Sequence, residues 1–130
     1  MRLYHSTSKQ FLGAIMRDGL KPHAGGVGLN THNVGVYLWR HPEQATLWAF
    51  GHHKRDGIVL TVELGRWASP YLTTDEEFFE DESEAYVFHG TIPTEAIRFD
   101  LTQTVAWRRM ALEKKQRAVF YRTMAANAGA

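Results

Sequence analysis

The sequence predicts one mixed α/β or α+β domain, on three observations. Short apolar or alternating stretches of strand length recur along most of the chain, with stretches of helical periodicity between them. The 130 residues suffice for one buried core and are too few for two, so residues 1–130 read as a single domain. No internal repeat, low-complexity tract or Pro/Gly-rich linker divides them.

The elements follow in order. Met1 to Tyr4 alternates in character and predicts a short strand. Ser6 or Thr7 could cap a following helix, because a hydroxyl accepts from the first free backbone N–H groups. Phe11, Leu12, Ile15 and Met16 recur at helical spacing, and Gly19 and Pro22 end that helix. "HAGGVGLNTHN" reads as a glycine-rich loop, and "VGVYLW", rich in β-branched and aromatic residues, as the second strand. "HPEQATLWAFGHH" predicts a helix with Pro42 near its start and Gly51 near its end. "GIVLTVEL" is apolar almost throughout and predicts a central strand. "TTDEEFFEDESE" is acidic, a loop or short helix that Phe78 and Phe79 could anchor. "AYVFHGTIP" predicts a strand and turn, and "AIRFDL" a short extended piece. "VAWRRMALEKKQRAVFYR" predicts a closing helix, with a frayed Ala-rich tail beyond Met124.

Composition narrows the chemistry. The formal net charge of +1 neither favours nor excludes a polyanionic partner, so any such case rests on local patches. The chain has no cysteine, which excludes a disulfide framework, a thiolate metal site and a Cys nucleophile. No stretch is apolar over the roughly 18 residues of a membrane span, and no signal-peptide core opens the chain, so the expectation is an intracellular, cytoplasmic protein without membrane contact. Adjacent His52 and His53 would point to different faces of a helix, and no His-x-x-x-His or Glu-x-x-His spacing occurs, so no metal site is expected.

Three polar positions stand at or inside strands: His5 after the first, Tyr37 in the second, and Glu84 entering "EAYVF". Singly, each has a plain reading as a surface histidine, a core tyrosine and a solvated glutamate. Their order and surroundings add more. His5-Ser6-Thr7, then Gly19-Leu20 with Pro22, then Val36-Tyr37-Leu38, then Glu84 to Phe88 followed by "GTIPTEAI", resembles the ADP-ribosyltransferase superfamily. The likeness is to its His-Tyr-Glu branch, the diphtheria-toxin and poly(ADP-ribose) polymerase type, and to small bacterial and phage members. It covers about residues 1 to 100. Ser6 stands where the family has glycine, and Trp39 where serine is common.

That resemblance implies an α+β fold: a split β-sandwich core of two small sheets flanked by short helices, with a C-terminal helix. It implies NAD as co-substrate and transfer of ADP-ribose, one unit, to an intracellular protein or nucleic acid. Cleaving the nicotinamide–ribose bond passes through an oxocarbenium-like state that a carboxylate stabilises. Glu84 takes that role, His5 holds the adenosine ribose, and Tyr37 stacks on nicotinamide. Ser6 and Thr7 complete the cofactor contacts, and a helix start at Thr7 would favour the pyrophosphate. Glu82, two residues before Glu84 and therefore on the same side of an extended chain, would orient the acceptor. "AGGVGLN" would frame the NAD site, and the acidic stretch would meet the target. The closing helix carries Arg108, Arg109, Lys114, Lys115, Arg117 and Arg122 against Glu113 alone, so it could contact nucleic acid, pair with the acidic stretch, or be solvated. Two alternatives stay open: a non-catalytic module binding a nucleotide, ADP-ribose or a partner on the same scaffold, and an NAD-dependent RNA 2′-phosphotransferase-like enzyme.

Overall fold

The computed structural model describes residues 1–24, 34–74 and 85–128. The chain forms β1 (Arg2–Ser8), a 3-10 turn (Lys9–Phe11), α1 (Leu12–Asp18), β2 (His23–Ala24) and β3 (Val34–Trp39). There follow α2 (Pro42–His53), β4 (Gly57–Glu63), a 3-10 segment (Arg66–Tyr71), β5 (Leu72–Thr74), β6 (Ala85–Phe88), β7 (Ile97–Arg98) and α3 (Leu101–Ala128). This is an α+β fold closed by a C-terminal helix. The strands run in the antiparallel order β5-β6-β3-β1-β4-β7, and β2 pairs with the start of β3. The two small sheets expected from the sequence are thus one hydrogen-bonded path, because β1 and β3 join at Tyr4↔Trp39.

Both faces of the sheet are covered, which is why β4 is apolar nearly throughout. One face carries Leu3, Val36, Leu38, Ile58, Leu60, Val62 and Phe88, packed with Ile15, Leu20, Ile92 and Ile97 from outside those strands' centre. The other carries Tyr4, Trp39, Val59 and Ala85 and meets Ala45, Trp48 and Ala49 of α2 and Trp107 of α3. Successive side chains along a strand alternate between the two clusters, as the period of two requires.

The "GL" and "IP" motifs meet in space. Leu20 and Ile92 exchange two backbone hydrogen bonds, each 2.9 Å long. Gly19, at φ 86°, ends α1 there, and a Cβ on it would lie 2.4 Å from the Ile92 carbonyl oxygen. Only glycine fits that position.

Two expectations are corrected. Ser6 and Thr7 do not cap a helix; they continue β1, which pairs with β4 from Arg2↔Glu63 to Ser8↔Gly57. That long ladder satisfies their backbone groups and outweighs a local cap. Thr7 accordingly is not at a helix start, and α1 begins only at Leu12. The tail beyond Met124 is helical to Ala128, in keeping with the high helix propensity of alanine.

Candidate active site at the seam between β1 and β3

The strand order brings three strands together in one row, Tyr4↔Trp39↔Ala85, across β1, β3 and β6. On the β3–β6 side the ladder continues through Leu38↔Tyr86 and Tyr37↔Val87 to Val36↔Phe88. On the β1–β3 side, Tyr4↔Trp39 is the one pair in register among the described residues. Just beyond it a side chain replaces the ladder: Nδ1 of His5 lies 2.7 Å from the carbonyl oxygen of Tyr37. A carbonyl can only accept, so Nδ1 carries the proton, and in the neutral ring Nε2 is the accepting nitrogen.

Local chemistry explains each position. His5 is opposite Leu60 and Thr7 opposite Ile58, on the face of the larger apolar cluster, and both are buried. The polar edge of a buried imidazole needs a partner, and the Tyr37 main chain supplies one. Ser6 is opposite Val59, on the other face, and its hydroxyl donates to the Ala45 carbonyl oxygen of α2 at 2.5 Å. Ser6 therefore directs its side chain at α2 rather than at the face shared by His5. Trp39 is 8% exposed and packs 5.8 Å from Trp48 between ring centroids. It fills the core behind the seam.

Tyr37 is half-buried and pairs with Val87. A Cβ on Gly35 would come within 2.4 Å of Val87 Cγ1, so this glycine makes room for the valine on the same face as Tyr37. The structure thus brings His5 to the backbone of Tyr37, holds Thr7 along the same face as His5, and ties Ser6 to α2. It does not bring the Tyr37 side chain to His5, since alternation along β3 puts Tyr37 on the face of Trp39. Glu84 immediately precedes Ala85 in the chain, but Glu82 and Glu84 lie outside the described residues. So do "GGVGLNTHN" at 25–33 and the rest of the acidic stretch at 75–84, including Phe78 and Phe79.

Two residues of this region escaped the sequence reading. Tyr4 supports the seam pair from behind, edge-on to Trp107 with ring centroids 5.5 Å apart. Nothing near Tyr4 in the sequence announces a partner from the last helix. Tyr86 is opposite Leu38 and packs partly buried against the larger cluster. Its signal was the period-two alternation through Glu84, Tyr86 and Phe88. Among the described residues no group of three His, Asp or Glu side chains could hold a metal, and no helix is long and apolar enough to cross a membrane. No family model matches the chain, and no curated protein matches it either.

Proposed function

We propose that the protein is an NAD-dependent ADP-ribosyltransferase, with the seam between β1 and β3 as the nicotinamide end of its site. The observation that carries this reading is the departure of β1 from β3 after Tyr4↔Trp39, with the His5 imidazole bonded to the Tyr37 main chain at the divergence. A split β-sandwich would divide here, into β5-β6-β3 and β1-β4-β7. NAD would lie along this line. The His5 imidazole would hold the adenosine ribose, Ser6 and Thr7 would offer main-chain contacts, and Tyr37, on the face of Trp39, would stack on nicotinamide where the ligand crosses the seam. Glu84, next in the chain to the Ala85 of the seam row, would hydrogen-bond the nicotinamide ribose and stabilise its positive charge as the glycosidic bond breaks. Glu82 would orient the acceptor, and one ADP-ribose would be transferred to an intracellular, cytoplasmic target.

Incubation with nicotinamide-labelled NAD tests the reading. Wild type should release nicotinamide, and Glu84→Ala should lower the rate by roughly a hundredfold or more. No release and no labelled target in a lysate from wild type would sink it. A second reading, a binding module without transfer, draws on the burial of His5, 8% exposed with Nδ1 already engaged. Calorimetry separates the two: NAD binding that Tyr37→Ala weakens, without release, leaves the binding module.

A further inference from the structure

Half of the chain's negative charge sits in one place. Seven of its fourteen Asp and Glu residues fall within 75–84, which has no Lys or Arg. The near-neutral total therefore conceals a strongly basic remainder, and α3 carries a large part of it. Its 28 residues extend about 42 Å. Among the described residues, only contacts of its first half anchor it to the body. Thr104 donates to the Val59 carbonyl oxygen at 3.4 Å, Trp107 meets Tyr4, Arg108 lies 4.8 Å over the Phe50 ring, and Lys114 pairs with Glu43 at 2.6 Å. Beyond Lys114 every side chain described is exposed.

Along the same helix, three exposed cations, Arg108, Lys115 and Arg122, follow one another at seven-residue steps, the first of them on the flank toward Phe50. Seven residues are nearly two turns, so the three cations form a straight row with a spacing of about 10.5 Å. None of the three has a carboxylate within ion-pair distance among the described residues; Glu113 lies 3.9 Å from Arg117 instead. Beside this row runs a second, Val105, Leu112 and Val119, at the same steps and each about half exposed. Val105, Arg108, Arg109, Leu112, Glu113 and Gln116 lie together on this stretch of the helix surface.

We propose that this face of α3 binds a single-stranded nucleic acid, with phosphates on Arg108, Lys115 and Arg122 and bases or sugars along Val105, Leu112 and Val119. A row of like charges at a fixed interval suits a polymer whose phosphates also repeat. A flexible single strand follows a straight row, whereas the phosphates of a duplex wind away from it. The binding does not rest on the NAD reading.

The test omits NAD, so it stands apart from the transferase assay. Anisotropy of a fluorescein-labelled 20-nucleotide single strand, as RNA and as DNA, is followed between 50 and 200 mM salt. Wild type should bind both, more tightly than the matching duplex, with log affinity falling against log salt at a slope of about −2 for three phosphates. Lys115→Glu/Arg122→Glu should weaken binding roughly tenfold or more and bring the slope to about −0.7. Unchanged circular dichroism and melting temperature confirm that the variant is folded. Lys9→Glu, an exposed cation away from α3, should cost less than about twofold. Equal losses in Lys9→Glu and the α3 variant, a preference for duplex, or no binding by wild type would each overturn the proposal. So would a dimer that Leu112→Glu dissociates while no strand binds, since the face would then belong to a second copy.

Discussion

Along its β4 edge, β1 is paired from Arg2↔Glu63 to Ser8↔Gly57; along its β3 edge the register holds at Tyr4↔Trp39, and then the His5 side chain reaches across. The residues on the two edges are the same, so composition cannot be the cause. The neighbours differ. β4 presents a strand of matching length with both faces buried. β3 is aligned instead with β6, and it meets β1 near its own C-terminal end. A closed edge buries apolar side chains and leaves no place for a ligand. An edge that parts tolerates a buried histidine, whose Nδ1 takes the place of a ladder bond. The candidate site lies on the edge where the sheet is least complete.

Substitutions can break this comparison, beginning with the closed edge. Leu60 is fully buried opposite His5, and Leu60→Ala should destabilise the domain by about 3 kcal/mol through lost burial and the cavity left behind. Urea denaturation measures this; a loss below 1 kcal/mol would mean that the closed edge is not the stable one. His5→Ala removes the cross-strand bond and should cost less, about 1 kcal/mol. Amide exchange should quicken at Tyr37 and Leu38 while the β4 ladder stays protected. Equal loss of protection on both edges would show that β1 opens as one unit.

The smallest effect concerns the corner where α2 turns toward β4. Burial, with a lesser contribution from neighbouring His52, lowers the His53 pKa from its ordinary 6.5. The unfolded chain then binds a proton more readily than the folded one. The contribution of neutral His53 to stability is present above pH 6.5 and is lost as pH falls through the lowered folded value. Between pH 7.5 and 5.5, wild type should lose slightly more in melting temperature than His53→Gln. Parallel losses in the two proteins would place the pH dependence elsewhere.

Much of the fold is legible in the sequence where one periodicity acts alone. "VGVYLW" is β3 residue for residue, and the strand in "GIVLTVEL" ends one residue early, at Glu63. β1 is not legible to its full length, because His5 to Ser8 are polar and are held as strand by pairing with the distant β4. The site divides in the same way. Residue types mark His5, Tyr37 and Glu84 as candidates, and local sequence places Ser6 at a helix cap. Only the tertiary structure shows Ser6 turned to α2, Trp107 under Tyr4, and the His5 imidazole on the Tyr37 carbonyl. Each of those contacts joins segments that no local pattern connects.

The bridge between Leu20 and Ile92 has a mechanical consequence. One leaf of the sheet is β5-β6-β3 and the other is β1-β4-β7, and each keeps its own ladder. Tyr4↔Trp39 joins the leaves directly, and Leu20↔Ile92 ties the segment after α1 to the one after β6. The His5 bond to Tyr37 is a third link beside them, so the seam does not depend on one pair in register. The contacts of α2 behind the seam, Ser6 to Ala45 and Trp39 to Trp48, brace β1 and β3 against the same helix. Gly19, packed against the Ile92 carbonyl, sets how close the two segments come, and any side chain there would push them apart.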